Sequence, residues 1–296
     1  MNTEKRNRFK LLDLPSLLVA TSKSWFNSEP FERSAVVAYY SILSLPALIV
    51  IIINVVGSIW GKELVQGELL AQIAKALGSE TAESIRLMIV DRGETTTSIV
   101  ATSIGIGTLI YGSTGVFFQV QNALDKIWDA QPRFKNGLVE TIFSRLKSFG
   151  FILIIGFLLL ISFVLTSALS AFSENLKQYI SPSLVEYAFV LDIFVSLLMI
   201  YVLFAAMFKI LPNASIPWKA VRIGAALTSL LFVGGKYLLA LYFSELQPGS
   251  TYGAAGAIIL VMLWVSYSSL ILFFGAHFTK IYSEKYLKKQ PEQVIA

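Results

Sequence analysis

Six long apolar segments alternate with polar connections along this chain. Segments 34–61, 95–124 and 148–173 contain no Asp, Glu, Lys or Arg, and the three later segments hold one titratable residue each: Asp192, Lys236 and His277. A helix needs about 20 mostly apolar residues to cross the roughly 30 Å hydrocarbon layer, because its backbone must be hydrogen-bonded within the segment. The pattern therefore predicts an all-α, polytopic membrane protein with six transmembrane helices, at approximately 35–60, 96–121, 148–172, 186–209, 221–244 and 252–279.

The Lys and Arg residues indicate the orientation of these spans. Eighteen of the 24 lie in the N-terminal tail, the second and fourth connections and the C-terminal tail, and only five lie in the other three connections. Cytoplasmic flanks of membrane proteins retain the positive excess. We therefore predict that both termini are cytoplasmic, in the inner membrane of a bacterium.

Composition agrees with a lipid environment. Hydrophobic residues make up 55% of the chain and charged residues 15%, and the mean hydropathy is +0.67. No polar linker divides the chain, so we expect a single integral membrane domain over residues 1–296. The net charge of +5 does not come from a run of like charges, and we expect membrane lipids as partners rather than nucleic acid. The absence of cysteine excludes disulfides and thiolate chemistry.

Two polar connections contain amphipathic segments. In the tail 1–33, Leu17 and Thr21 belong to an apolar face that predicts an interfacial helix beginning near Pro15. In the outer connection 62–93, apolar residues recur every four positions up to Gly78 and resume beyond it, which predicts two short helices. These helices are interpreted either as a lid over an outer cavity or as ordinary interfacial packing.

Asp192 and Lys236 are charged residues within predicted spans. A charge in hydrocarbon costs about 2.5–3.5 kcal/mol on insertion scales, so each requires a partner or water. Both lie toward the outer ends of adjacent antiparallel spans, and their depths are comparable. We expect an ion pair, which either lines a substrate or ion path or locks two helices together.

Two further polar residues lie in the spans. His277 is the only histidine and lies at the inner end of the last span, so a proton relay and an interfacial hydrogen bond are both open interpretations. One histidine cannot form a metal site of His ligands, and we predict no metal and no cofactor. Asn54 is expected to hydrogen-bond to another helix, or to face a path.

Small residues and proline mark predicted packing positions. Pro46 should kink the first span. A stripe of small residues in the second span allows close approach of another helix; its members include Ala101, Gly105, Gly112 and Gly115. The sixth span opens with Ser250, Thr251, Tyr252 and Gly253. That segment either starts irregularly beside a cavity, as in transporters with broken helices, or simply packs tightly.

Several motifs together resemble one family. They are Ala38-Tyr39-Tyr40-Ser41 with Leu45-Pro46, the segment Gln121-Asn122-Ala123-Leu124-Asp125-Lys126-Ile127-Trp128, Leu211-Pro212, Tyr252-Gly253-Ala254-Ala255-Gly256, and Gly275-Ala276-His277-Phe278-Thr279. The combination extends over nearly the whole chain and is similar to the YihY/BrkB family of bacterial inner-membrane proteins. The Gly-Lys dipeptide that contains Lys236 also fits this family.

This resemblance implies a six-helix membrane fold and a role in envelope physiology, in export of lipid or lipid-like molecules, or in resistance to serum killing. The family usually has glutamate at the position of His277, and this departure weakens any proton pathway through a carboxylate there. The family was also once labelled a ribonuclease. This chain supports no such activity, because it has no Cys/His metal spacing and no carboxylate cluster to bind Mg²⁺.

Three classes of function compete at this stage. The first is a transporter or lipid-handling protein for a lipid-like or anionic amphiphilic substrate, with a site in spans four to six. The second is a non-transporting scaffold for envelope assembly, which would have a dry, tightly packed core. The third, an intramembrane enzyme, lacks a recognisable nucleophile–base pair, and we predict that the protein is not an enzyme. Oligomeric state is left open.

Overall fold

The structure is a computed structural model that describes residues 9–90, 107, 111–132, 134–177, 183–246 and 256–287. These residues are helical and contain no strand, which confirms the all-α prediction. After a 3₁₀ turn at Leu11–Asp13, the long helices are α1 (Leu14–Phe26), α2 (Pro30–Trp60), α3 (Lys62–Leu77), α4 (Ser79–Val90), α5 (Gly115–Ile127), α6 (Gly137–Lys177), α7 (Ser183–Ile210), α8 (Trp218–Leu246) and α9 (Gly256–Tyr286).

Three helical stretches in the described residues are long and apolar enough to cross a membrane. They are Gly137–Leu158 of α6, Trp218–Phe243 of α8 and Gly256–Tyr286 of α9. A fourth is α2, if its two bent halves count as one span, and α7 contributes the shorter apolar stretch Phe194–Ile210. The chain is therefore a helical membrane protein with several spans.

Helix α2 bends by 56° between Pro30–Leu45 and Ala47–Trp60. Pro46 separates these two halves in the sequence, and a proline within a helix is expected to bend it because it has no N–H to donate. Among the prolines within described helices, those near the starts of α1 and α2 lie where no N–H is required. The bend changes the direction of the second half of α2.

Helix α6 starts earlier than the predicted third span. The sequence placed residues 122–148 in a cytoplasmic connection, but α5 continues to Ile127 and α6 already begins at Gly137. Glu140, Arg145 and Lys147 are therefore helical residues rather than loop residues. Their charged groups are hydrogen-bonded to other elements, so the helix can begin before residue 148, where the segment without charged residues starts.

Helices α2 and α9 form the centre of the bundle. Helix α9 packs against α2, α8 and α1, while α8 also packs against α7, and α6 packs against α5 and α7. The buried core includes Phe151, Phe208, Phe273 and Phe278, each almost fully buried. The helices that carry the polar site residues are thus held on a rigid apolar framework.

The seam between α8 and α9 is closed by a reciprocal exchange of glycine and threonine, which we call the α8–α9 interlock. A Cβ on Gly224 would lie 1.8 Å from Thr279 Oγ1, and a Cβ on Gly275 would lie 1.9 Å from Thr228 Oγ1. Each threonine hydroxyl donates a 2.7 Å hydrogen bond to the carbonyl of the glycine four residues earlier in its own helix. The hydroxyls are satisfied locally, so the backbones approach closely without orphaned polar groups.

Helix α1 is docked on the end of α9. Leu17 and Thr21, on the apolar face predicted to be interfacial, are buried in this contact. The Trp25 and Phe274 rings lie 5.9 Å apart, and the Tyr286 hydroxyl donates a 2.9 Å bond to Asp13 Oδ2. That face therefore packs on protein, and the exposed apolar side chains Leu12, Val19 and Phe26 lie away from it.

The two short helices expected between residues 62 and 93 are α3 and α4. Gly78 separates them with φ +92°, a conformation that glycine adopts without a Cβ penalty. Val65, Ala82 and Ile85 are buried, and the pair packs against α2 and α9. The described contacts are those of a helical pair packed on the bundle.

Candidate functional site

Part of the predicted path lies outside the described residues. Residues 250–253 fall there, as do Ala101 and Gly105, and the side chain of Asp192 is not described. The expected pair between Asp192 and Lys236 therefore stays a prediction. Lys236 itself is exposed on α8, within the apolar stretch Trp218–Phe243.

The surroundings of Lys236 differ on the two sides of α8. Gly235 is buried against α9, where an added Cβ would lie 2.1 Å from the Tyr267 hydroxyl oxygen. Tyr237, Leu238 and Leu241 are exposed large side chains. Lys236 thus projects from an uncovered apolar surface of α8, next to a helix seam that is closely packed.

His277 lies at the contact between α9 and the end of α1. The residue is 5% exposed. Its Nδ1 lies 3.0 Å from Ser24 Oγ and its Nε2 lies 2.9 Å from Ser28 Oγ. Both ring nitrogens therefore bind hydroxyls of the N-terminal segment, and the imidazole joins the two elements. This geometry agrees with the hydrogen-bonding interpretation of His277.

The described bond of Asn54 lies within its own helix, and its expected bond to another helix stays a prediction. Asn54 is exposed, and its Nδ2 donates a 2.8 Å bond to the carbonyl of Val50 in its own helix. An amide near the middle of a helix can satisfy itself on the preceding turn, so no interhelical partner is required.

Gly112 and Gly115 lie where the second predicted span meets the bend of α2. A Cβ on Gly112 would lie 3.5 Å from Ala47 Cβ, and one on Gly115 would lie 3.5 Å from Tyr40 Cδ1 and 4.0 Å from Ser44 Oγ. These are ordinary contact distances. The small residues therefore bring this helix close to α2 on both sides of Pro46, and the packing interpretation agrees with the geometry.

Arg145 of α6 reaches into this meeting point, although sequence reasoning had counted it among the cytoplasmic loop cations. Its Nη1 donates to the Tyr111 carbonyl at 3.0 Å and to Thr114 Oγ1 at 3.2 Å. Thr114 forms a turn between the helical residues 111–113 and α5. The guanidinium therefore binds a carbonyl at a point where the helix is interrupted.

Two aromatic rings fix the Arg145 guanidinium. Its Cζ lies 4.2 Å from the centroid of the Tyr111 ring and 4.6 Å from that of Phe118. Its Nε is buried and has no hydrogen-bond partner among the described residues. No described carboxylate forms an ion pair with it. We call Arg145 with Tyr111, Thr114, Gly115, Phe118 and Ser44 the Arg145 site.

A second polar cluster lies further toward the predicted cytoplasmic side, and we call it the inner network. Its centre is Asn213, in the loop between α7 and α8. The backbone N–H of Asn213 donates to Asp125 Oδ1 at 2.6 Å, and its Nδ2 donates to Asp125 Oδ2 and to Glu140 Oε1, both at 3.0 Å. One amide thus holds a carboxylate of α5 and a carboxylate of α6.

Lys147 completes the inner network. Its Nζ donates to the Leu211 carbonyl at 2.8 Å and to Asn213 Oδ1 at 3.0 Å. The pKa of the Asp125 carboxyl is raised above its ordinary value, chiefly because the group is partly buried. The charge of Glu140 also raises this pKa, whereas the backbone hydrogen bond from Asn213 and the charge of Lys147 lower it. Two of the sequence motifs, Gln121 to Trp128 and Leu211-Pro212, therefore meet here through Asp125 and the adjacent Asn213.

Gln121 lies between the Arg145 site and the inner network. It is 1% exposed, its Nε2 donates to Ser144 Oγ at 3.2 Å, and its Oε1 has no partner among the described residues. The boundary between α5 and α6 thus contains polar groups along its length. The sequence did not predict this boundary, because a charged residue near the end of an apolar segment is typical of an interfacial flank. The signal for it in the sequence was Gln121, a polar residue within an apolar segment.

The described residues contain no group of three or more His, Cys, Asp or Glu side chains placed to hold a metal ion. Fold and site together define a class: a helical membrane protein with several spans and with charged and polar side chains inside its bundle. The chain belongs to the family described as "Virulence factor BrkB", whose model matches residues 23–294. The resemblance inferred from its motifs is therefore confirmed.

Curated relatives carry the name UPF0761 membrane protein. The chain is 28% identical over 234 residues to one from Idiomarina loihiensis, covering 78% of this chain and 76% of the relative. It is 24% identical over 193 residues to one from Psychromonas ingrahamii, covering 64% of this chain and 62% of the relative, and 25% identical over 242 residues to one from Azotobacter vinelandii, covering 81% and 55%. The chain thus spans between about half and three quarters of these relatives. No solved structure matches it.

Proposed function

We propose that this protein moves or exports a lipid-like or anionic amphiphilic molecule across the bacterial inner membrane. It does so as a single domain of six transmembrane helices, with both termini in the cytoplasm and with α3 and α4 on the outer side. The substrate site includes Lys236 on α8 and extends toward Asp192 and residues 250–253. Membrane lipids are its partners, and no chemical step is catalysed.

The observation that carries this proposal is the exposure of Lys236 on an apolar helix. An ammonium group in hydrocarbon is costly, and intramembrane charges commonly mark substrate or ion paths. Lys236 lies within an apolar stretch of α8 and is exposed rather than packed against a described helix. A path that admits an anionic amphiphile would place its head group against the Lys236 ammonium group and its tail against the exposed apolar side chains of α8. The substrate is then an amphiphile whose anionic head binds Lys236.

The first test asks whether water reaches Lys236. The chain contains no cysteine, so single cysteines can be introduced at position 236, at the exposed outer residue Glu63 and at the exposed inner residue Asn136 and treated in intact cells with a membrane-impermeant maleimide. We expect labelling at 63 and 236 before permeabilisation, and at 136 only afterwards. Labelling at 136 in intact cells would contradict the orientation. If the cysteine at position 236 is not labelled even in permeabilised cells, the result would contradict a water-filled path.

The second test measures movement of lipid. Proteoliposomes containing phosphatidylglycerol with a fluorescent tail label are treated with dithionite, which bleaches only the outer leaflet. We expect wild-type protein to bring the inner-leaflet label to the surface and Lys236→Gln to slow this by about ten-fold, as loss of one charged contact in a low-dielectric path would do. Lys219→Gln makes the same change at an exposed position at the start of α8, and it should leave the rate unchanged.

A scaffold is the second candidate. Ile59, Trp60, Leu64 and Leu87 of α2, α3 and α4 are exposed large apolar residues, which a partner could cover. The same dithionite measurement separates the two functions. Wild-type protein that moves no labelled lipid, together with an unlabelled position 236, would favour the scaffold.

A further inference from the structure

Arg145 is partly buried at the contact between α5 and α6, and its positive charge has no described counter-charge. It lies within the apolar stretch Gly137–Leu158, and no described carboxylate forms an ion pair with it. Thr114, which it contacts, lies eleven residues before Asp125, or about 16 Å along a helix. Glu140 lies five residues before Arg145 on α6, about 8 Å along the helix, and its carboxylate accepts bonds from Asn213 and from the Phe134 N–H. A partly buried charge in an apolar stretch requires compensation from the protein, from water or from a ligand.

The protein contacts of Arg145 contain no negatively charged group. A carbonyl, a hydroxyl and two ring faces surround the guanidinium. The ring faces attract the cation, and a neutral donor could satisfy the Tyr111 carbonyl, so capping alone does not explain a charged residue here. The rings instead hold the guanidinium plane in one orientation, which lowers the entropy cost of binding a further group.

The space beside Arg145 is bounded by hydroxyls and a glycine on one side and by apolar side chains on the other. A Cβ on Gly115 would lie 3.9 Å from Arg145 Nη1 and 4.0 Å from Ser44 Oγ. Tyr111 is 67% exposed, and Ile142, one turn before Arg145 on α6, is 68% exposed. The Ser44 and Thr114 hydroxyls already donate to the carbonyls of Tyr40 and Tyr111. An anionic head would therefore bind the Arg145 N–H groups, and its tail would meet an apolar surface.

We propose that the Arg145 site binds the phosphate of an anionic phospholipid-type head group. A planar guanidinium presents paired N–H donors that match phosphate oxygens, and basic pockets between membrane helices commonly bind anionic lipid head groups. The site is separate from Lys236 and binds without transport. The inference rests on the proposed function only for the anionic, amphiphilic nature of the ligand.

The test measures binding on the full-length protein purified in a nonionic detergent. Dioctanoyl phosphatidylglycerol, dioctanoyl phosphatidylcholine and inorganic phosphate are titrated separately, and bound lipid is counted by native mass spectrometry alongside the thermal unfolding midpoint. Arg145→Gln removes the charge, and Arg145→Lys keeps it but loses the planar fork. Arg222→Gln is the matched control, because it makes the same change at an exposed residue of α8.

We expect wild-type protein to bind the phosphatidylglycerol about ten-fold more tightly than the phosphatidylcholine. Arg145→Gln should abolish this preference and Arg145→Lys should reduce it several-fold, while Arg222→Gln should retain it. If inorganic phosphate competes at millimolar concentration, the site recognises phosphate whatever its source; if it does not, the site requires a lipid-borne phosphate. Both results support the assignment.

Two results would overturn it. One is an Arg145→Gln protein that is folded and keeps the full preference for phosphatidylglycerol. The other is a wild-type protein with no preference among the three ligands, which decides the matter even if the Arg145→Gln protein does not fold. Wild-type protein that moves no labelled lipid but keeps its preference for phosphatidylglycerol would overturn the transport proposal and leave the Arg145 site intact, so the two proposals fail independently.

Discussion

The α8–α9 interlock and the boundary between α5 and α6 solve the same packing problem with different chemistry. In the interlock, glycines lie under threonines whose hydroxyls bind their own helix, so the contact is close and leaves no polar atom to satisfy. At the α5–α6 boundary, the Arg145 site and Gln121 contain buried polar atoms without described partners. The comparison indicates that the first region provides stability, whereas the second has capacity to bind something else.

The largest effect is expected from adding one methyl group to the interlock. In Gly275→Ala the new Cβ would lie 1.9 Å from Thr228 Oγ1 and 2.9 Å from its Cβ, so the helices must separate. We expect a loss of about 3 kcal/mol in the free energy of unfolding, measured by denaturation in mixed SDS micelles. Gly234→Ala is the control: Gly234 lies on α8, the helix that packs against α9 in this seam, is exposed and has no atom within 4 Å of an added Cβ.

The cause of that loss can be checked by a double-mutant cycle. Adding Thr228→Ala to Gly275→Ala removes the hydroxyl and methyl that collide, so the double variant should recover about half of the loss. An additive result would show that the glycine matters for a reason other than the close approach to Thr228.

A smaller effect is expected from the inner network. Asn213→Ala removes the amide that binds Asp125 and Glu140 and the acceptor of Lys147, and it leaves two partly buried carboxylates with fewer donors. We expect a loss of about 2 kcal/mol in the free energy of unfolding. Hydrogen exchange of residues 211–217 should rise at the same time. Asn122→Ala, at an exposed position of α5, should change neither quantity; an equal effect there would contradict the role given to the network.

Gln121 sharpens the comparison because its replacement should stabilise the protein. Gln121→Leu fills a similar volume, gives up one 3.2 Å hydrogen bond to Ser144 and removes a buried carbonyl that has no described partner. We expect a gain of about 1 kcal/mol in the free energy of unfolding, from the same SDS titration. Ser144→Ala tests the other partner and should cost little. A clear loss in Gln121→Leu would show that the Oε1 atom is satisfied in the membrane.

The smallest effect is a pH dependence from Asp125. Burial raises the pKa of this carboxyl above its ordinary value of 3.8, against the lowering effects of Asn213 and Lys147 and together with Glu140. The folded state therefore holds this proton more tightly than the unfolded state. The contribution to stability is complete below pH 3.8 and is lost as pH rises through the folded pKa. Asp125→Asn should flatten the part of the stability curve that lies above pH 3.8, whereas Glu32→Gln, at an exposed residue of α2, should not.

Much of this protein was determined by the order of its residues. Apolar segments long enough to cross a membrane, the proline at the bend of α2 and the glycine between α3 and α4 each act locally, through backbone geometry and transfer to lipid, so their effect could be predicted from position alone. The family also followed from short motifs, because their combination is specific even where each one is weak.

Only the tertiary structure decided which side chains meet. Arg145 lies in a part of the sequence typical of a cytoplasmic flank, yet its side chain reaches a carbonyl 34 residues earlier in the chain. Asn213 joins Asp125 to Glu140 across three elements, and His277 joins α9 to serines near the other end of the chain. These contacts depend on the rotation and depth of each helix in the bundle. Hydrophobic periodicity does not specify them, because many rotations bury the same apolar area but only one brings these polar groups within hydrogen-bond distance.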